Sequence, residues 1–231
     1  MTKRGILETR SLREQVYDYL REAINRGELN PGAYLDLNEI GDSLGISRTP
    51  LRDAFIQLEL EGFVTILPRR GVVVSELDLD SIRHIYEMIG ALEGAAVVSV
   101  GDKLGEVELD KMQFLNAEMV EAVGAGDFNT YYDRNLAFHR VFLGLSDNTS
   151  LVRTVEVLKH RLYDFPRRKS FVTEWESTST GEHAAFVALL SQGDARGAAD
   201  YLRDVHWSFD VQRPFILQYY FPEVGKDGDS A

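Results

Sequence analysis

The sequence contains no cysteine. That excludes a disulfide framework, a thiolate zinc site and a cysteine nucleophile, and it fits a cytoplasmic protein in a reducing compartment. Long apolar runs are missing too. The longest, around Ala95 to Val100, falls far short of the roughly 20 residues a spanning helix needs, so no membrane partner is expected. The opening stretch MTKRGILETR has neither an apolar core nor a cleavage pattern, so a secretory leader is not expected. Nor is there a surplus of positive charge: 25 Lys and Arg against 37 Asp and Glu give a net charge of −12. Taken alone, that argues against nucleic acid as a partner. Dividing the chain changes the reading. Residues 1–75 hold 10 basic and 11 acidic side chains, whereas residues 76–231 hold 15 and 26. The acidity lies in the last two thirds, and a local basic face in the first third stays open.

What is present reads as a folded protein, with 44 % hydrophobic and 27 % charged residues over 231 positions, enough for two modest cores. Leu12, Val16, Leu20 and Ala23/Ile24 recur three or four apart, predicting a helix over 11–26 stopped by Gly27. A turn at Asn30-Pro31-Gly32 follows, then a short helix carrying Leu37, Ile40 and Leu44. Ser47 is placed to cap a third helix, with Pro50 tolerated in its first turn, where amides are unpaired anyway. Phe63–Leu67 and Val72–Val74 read as a hairpin around Pro68-Arg69-Arg70-Gly71. Beyond Ser75 the pattern becomes long helices only, expected at about 79–100, 106–124, 127–146, 148–165, 173–192 and 194–212. From Pro214 the tail is aromatic, then polar, and is expected to fray. The fold class is therefore mainly α. Residues 1–75 form a module of three helices plus a β-hairpin wing, and residues 76–231 an all-α antiparallel bundle.

Three helices with a tight turn between the last two, then a hairpin, outline a winged helix-turn-helix. In such a module the helix after the turn lies in the major groove with its first residues on base edges. Here those residues are Ser47-Arg48-Thr49-Pro50-Leu51-Arg52. Arg48 and Arg52 share a face one turn apart, opposite Leu51, Phe55 and Leu58. Arginine suits bidentate contact with guanine, and Thr49 suits a phosphate or a thymine methyl. Arg69 and Arg70 at the hairpin tip are placed for phosphate or minor-groove contact. The plain alternative is that these arginines decorate a solvated helix.

The stretch LNPGAYLDLNEIGDSLGISRTPLRDAFIQLELEGFVTILPRRGVVV resembles the DNA-binding domain of the GntR family of bacterial transcription regulators, with GISRTPLRDA its most specific part. The resemblance implies operator contact by Arg48, Thr49, Arg52 and the wing glycine, Gly71. It also implies a further contact at the start of the second helix, where that family often has arginine and this chain has Asn38.

Five histidines occur, His84, His139, His160, His183 and His206. His139 shares a stripe with Tyr132, Asn135 and Phe142; His183 with Phe186, Val187 and Leu190; His206 with Ala199, Leu202 and Phe209. Three helices thus each aim an imidazole at the bundle interior, where unpartnered polar groups are costly. Converging imidazoles are natural ligands for zinc, nickel or a similar divalent ion. The plain alternative is hydrogen-bonded core histidines. His84 and His160 read as surface residues.

The stretches IYEMIGALEGAA, NLAFHRVFLGLSDN and GEHAAFVALLSQGDARGAADYLRDVH resemble the FCD effector domain of FadR-type GntR regulators. In the metal-binding branch an acidic residue joins three histidines. The matching positions are Asn135, His139, His183 and His206, so asparagine stands in place of the usual aspartate. Asparagine brings no charge, so an ion held here keeps its full +2 and draws an anionic ligand. The arginine that many members use to clamp an effector carboxylate corresponds to Ile89. Arg134, Arg140, Arg153 and Arg161 are the other cations considered, with Arg161 nearest an interior face.

Together these readings predict a ligand-responsive regulator that binds double-stranded operator DNA as a homodimer and takes a small organic acid near a three-histidine metal site. Repression relieved by ligand is what the resemblance implies. The alternative is a DNA-binding regulator whose bundle only dimerises, with structural histidines and no metal or effector. Ile85, Ile89, Leu92 and Ala96 serve equally as dimer seam or plain core. A metal hydrolase is not expected: no HExxH motif occurs, and Glu182 is read as lying on a different helix face from His183.

Overall fold

The computed structural model describes residues 10–164 and 172–221. The described residues divide into two compact units, 10–78 together with 160–164, and 79–159 together with 172–221. The frayed tail expected after the aromatic stretch falls mostly outside the described residues.

The first unit holds α1 (Leu12–Asn25), β1 (Tyr34–Leu35), α2 (Leu37–Leu44), α3 (Arg48–Leu60), β2 (Val64–Leu67) and β3 (Gly71–Val74). Ser11 and Glu14 close a reciprocal capping box at the start of α1. Asp36 accepts from the Asn38 and Glu39 amides at the start of α2. Ser47 does occupy the N-cap position of α3 with extended backbone, but its side chain makes no capping hydrogen bond. The hairpin is β2 paired antiparallel with β3, from Val64 opposite Val74 to Leu67 opposite Gly71. A third strand joins it: β1 pairs with β3, giving the sheet order β1-β3-β2. Two residues are too few for an alternating pattern to announce a strand. Val16, Leu20, Ile24, Leu51, Phe55, Leu58, Phe63, Val72 and Val74 form the core of this unit. Fully burying each large side chain stabilises by about 1.5–3 kcal/mol.

The second unit is helical. It contains α4 (Leu79–Val100), a 3-10 turn (Gly101–Lys103), α5 (Glu106–Ala125), α6 (Phe128–Leu143), most of α7 (Thr149–Asp164), α8 (Thr173–Ser191), α9 (Ala195–Tyr201) and α10 (Phe209–Tyr220). α5 packs on α6 and α8, while α4 packs on α6, α9 and the turn after α9. Ile85, Ile89 and Ala96 are buried inside this single unit, and Leu92 is half-buried. The plain core reading of that stripe therefore prevails over the dimer seam.

Two expectations need correction. The last helix does not run from 194 to 212: α9 ends at Tyr201 and passes into a π-helical turn, Leu202–His206. The chain then restarts as α10, capped by Ser208. Nor does Pro214 begin an irregular tail. It lies inside α10, where the lost backbone hydrogen bond is offset by burial of Ile216 and Tyr219 and by Phe215 stacking on Trp175 at 6.0 Å. Gly90 on α4 makes room for the π turn, since a Cβ there would sit 3.1 Å from Trp207 Cβ and 3.3 Å from Arg203 Cα. No described helix is long and apolar enough to cross a membrane.

Candidate functional sites

In the first unit, α3 turns Leu51, Ala54, Phe55 and Leu58 inward, which leaves Arg48, Thr49 and Arg52 exposed on the opposite side. Ser47 and Asn38 are exposed as well. At the wing, Arg69 and Arg70 are exposed in the turn between β2 and β3. Among the described residues none of these four arginines has an acidic partner, so their charges are available to a ligand. Arg69 holds a left-handed backbone, φ 63°, the single non-glycine residue described that does so. Such strain recurs at ligand-contacting loops. Gly71, at φ 122°, is required for a local reason besides any close approach to DNA, because a Cβ there would lie 2.7 Å from Tyr34 Cζ.

In the second unit, His139 from α6, His183 from α8 and His206 from the π turn come together. One nitrogen from each lies within 4.8 Å of the others. Ring centroids are 5.3 Å apart for His139–His183 and His139–His206, and 4.9 Å for His183–His206. All three rings are buried, His183 completely, and Asn135 is buried one turn before His139. The π turn contributes directly. It shifts the helix register so that His206 and Trp207, adjacent in sequence, both reach the cluster, their rings 5.1 Å apart.

Two carboxylates flank the imidazoles. Glu93 Oε2 lies 3.0 Å from His139 Nδ1 and accepts from Trp207 Nε1 at 2.7 Å, while Glu93 Oε1 lies 2.6 Å from Lys159 Nζ. Glu182 Oε2 lies 2.7 Å from His206 Nδ1, and Glu182 Oε1 accepts from Gln212 Nε2 at 2.8 Å. Gln212 Oε1 in turn accepts from Trp175 Nε1 at 2.8 Å. Glu182 therefore does face the cluster, across to the π turn. Reading α8 alone missed this, because the partner ring comes from another element.

Burial pushes the His139 imidazole down to about 4; the Glu93 charge opposes that and the Lys159 charge adds to it. His183 is held well below the ordinary range by burial, with His206 and His139 adding to the effect. Burial also pushes Glu93 up, but the neighbouring His139 and Lys159 outweigh it and hold the carboxyl well below its usual range, Lys159 being the partner that carries charge at neutral pH. Lys159 is lowered by burial, with Glu93 opposing. His139 and His183 are therefore neutral imidazoles beside an ion pair sealed from water.

Both ring nitrogens of His139 and both of His183 are buried without a hydrogen-bond partner among the described residues, the 3.0 Å contact of His139 Nδ1 with Glu93 falling outside hydrogen-bond geometry. Neutral imidazoles with unsatisfied nitrogens turned to a common centre fit a divalent ion.

The comparisons with known proteins agree with this two-part layout. Residues 12–74 match the description "Bacterial regulatory proteins, gntR family", and residues 84–205 match the FCD domain. The chain is 30 % identical over 176 residues to the uncharacterised HTH-type transcriptional regulator YdhC of Bacillus subtilis, covering 76 % of this chain and 75 % of that one. This chain belongs to the GntR family. It is a transcription regulator with an FCD domain, and not an enzyme. It is also similar to the HTH-type transcriptional repressor RspR of Escherichia coli, 24 % identical over 151 residues, 65 % of this chain and 66 % of that one. Among solved structures, E. coli McbR/YncC shares the fold with a TM-score of 0.67 at 22 % identity, covering 92 % of this chain and 98 % of that one.

For a GntR regulator, the remaining cations sort as follows. Arg134 pairs with Glu118 at 2.8 Å, and Arg140 lies 3.5 Å from Glu156. Arg153 is exposed. Arg161 is half-buried, feels the charge of Asp78 and falls within the first unit, whereas the histidine cluster is in the second. His84 is exposed and His160 half-buried, and neither joins the cluster. Residue-by-residue reading missed Lys159 and Glu93. A signal did exist: Lys159 follows Val155 and Glu93 follows Ile89 by four positions, so each interrupts an apolar stripe with a charge.

Proposed function

We propose that this GntR regulator binds operator DNA as a homodimer and answers to a small organic acid bound in its FCD domain beside a metal ion. The observation that carries the reading is the meeting of three buried imidazoles, of which His139 and His183 leave ring nitrogens without a hydrogen-bond partner among the described residues. His139, His183 and His206 would hold the ion, with the Asn135 carbonyl as a fourth donor. A divalent ion such as zinc or nickel would supply a positive centre that fixes and polarises an anionic ligand. Because no ligating side chain carries charge, the ion would keep its +2, which favours a carboxylate as the exogenous ligand. The effector site proposed is built on this cluster and does not include Arg161.

On the DNA side, Arg48, Thr49 and Arg52 would read the major groove. Ser47, Asn38, Arg69, Arg70 and Gly71 would serve backbone or minor-groove contact. Two heads per dimer match half-sites about one helical turn apart. Effector binding would relieve repression by favouring one dimer geometry over another. The repressor RspR among the relatives supports that direction without fixing it.

A second reading has one observation in its favour. The Lys159 ammonium already places a fixed positive charge beside the cluster, so the bundle could serve dimerisation alone with no metal or effector. Metal analysis of the untagged protein and its His139→Ala variant separates the two. Stoichiometric metal in the wild type and none in the variant supports the effector reading, and melting shifts with small carboxylic acids then identify the ligand class. No metal, even after zinc and nickel are added back, selects the second reading.

A further inference from the structure

Glu93 and Glu182 sit in equivalent positions around two different imidazoles. Each puts a carboxylate oxygen beside an Nδ1, Glu182 in a 2.7 Å hydrogen bond with His206 and Glu93 in a 3.0 Å contact with His139 that does not reach hydrogen-bond geometry. A carboxylate oxygen only accepts, so a neutral imidazole beside it carries its proton on Nδ1, leaving the Nε2 lone pair open. Both carboxylates are themselves fixed. Glu93 is held by Trp207 and Lys159, and Glu182 by Gln212, which Trp175 anchors. No such group faces His183, whose nitrogens make no hydrogen bond among the described residues.

We propose that Glu93 and Glu182 are positioning residues of the histidine cluster, locking His139 and His206 in the tautomer that presents Nε2 to a shared ion. This inference rests on the metal reading above. The two carboxylates also supply, at one remove, the negative charge that Asn135 does not bring. They are unequal, because Lys159 neutralises Glu93 whereas no cation faces Glu182 at hydrogen-bond distance among the described residues. Glu182 is therefore the stronger of the two in raising the basicity of its imidazole, and His206 the strongest donor of the three. Hydrogen-bond partners of this kind change metal affinity by about 10- to 100-fold when removed.

Glu182→Gln tests the stronger position. Its amide oxygen can still meet His206, but its NH2 then confronts the Gln212 NH2, so the lock is frustrated while size is kept. For Glu93 the variant is the pair Glu93→Gln with Lys159→Met, which removes both charges together and avoids stranding a buried lysine. Zinc affinity is measured on the full-length protein by competition with a chromophoric chelator at fixed neutral pH. Imidazole 15N shifts of the metal-free protein report the tautomer directly. We expect a loss of affinity of about 10- to 100-fold in Glu182→Gln, a smaller loss in the double variant, and movement of the His206 proton away from Nδ1 in the first. Wild-type zinc binding with unchanged affinity and unchanged tautomer in folded Glu182→Gln would overturn the positioning role and leave the metal reading standing. A wild type that takes up neither zinc nor nickel overturns both.

Discussion

The buried imidazoles make acid a specific perturbant of the metal-free protein. An unfolded histidine takes a proton near pH 6.5, whereas folded His139 does so only near pH 4, because burial disfavours its charged form. Between those values the unfolded chain binds more protons than the folded one, so stability rises with pH. The contribution is complete above pH 6.5 and is lost as pH falls towards 4. For His139 alone the gap from 6.5 to about 4 amounts to roughly 3 kcal/mol, a large part of a typical domain's stability. His183 acts with the same sign. Glu176, whose carboxyl burial pushes up to about 7, titrates with the opposite sign between pH 7 and 4.5, so the histidine contribution is read from the difference between the wild type and a variant lacking His139. Chelator-treated protein is unfolded with urea at pH 7.5, 6.5, 5.5 and 4.7, beside His139→Gln. The wild-type slope should exceed that of the variant by about one proton, or about 1.4 kcal/mol per pH unit. Equal slopes would refute the reasoning, whatever the absolute stabilities.

Three further outcomes are expected. Arg69→Gly relieves a left-handed arginine and should stabilise the wing by about 1 kcal/mol in thermal melts, yet lower the salt slope of DNA binding by about one unit per head. Arg52→Ala should cost about 1–3 kcal/mol of operator affinity and relax base preference at one position per half-site, read by anisotropy on duplexes recovered from a randomised pool. Lys159→Met should cost about 3–5 kcal/mol in urea melts because it strands the Glu93 carboxylate in the core, while Lys159→Met with Glu93→Leu should recover most of that.

Local periodicity carried most of the fold. The α4 span from Leu79 to Val100 and the break at Gly126 are written in the apolar spacing and in the glycine that ends α5. What periodicity could not carry was any feature that depends on a second element. β1 is two residues long and exists because β3 offers it an edge. The π turn looks helical in sequence, since one extra residue in a turn leaves the apolar repeat nearly intact. In the site, the three histidines were legible because each lies on an inward stripe. The roles of Glu93, Lys159 and Glu182 were not, since pairing a charge across helices needs the tertiary contact. Reading Glu182 as turned away from His183 is sound on α8 and incomplete in the bundle, where His206 waits on the facing turn.

The energetics of this core favour a functional reason for its polarity. Moving two opposite charges into a low-dielectric interior costs several kcal/mol per ion before their attraction repays it, and apolar residues of similar size commonly do as well or better. Here Glu93 and Lys159 are both almost fully buried, and three imidazoles and Glu182 are buried in the same unit. A bundle needing only to fold or to dimerise has no use for them. Hydrogen-bond satisfaction also stops short: Trp175, Trp207, Gln212 and Glu182 are hydrogen-bonded and Glu93 is ion-paired with Lys159, while the ring nitrogens of His139 and His183 make no hydrogen bond among the described residues. A purely structural network would be expected to close on itself, because an unpaired buried nitrogen costs about 1–3 kcal/mol. The unsatisfied nitrogens of His139 and His183 are what the proposed metal ion would take up, which gives this core's polarity a use that folding alone does not.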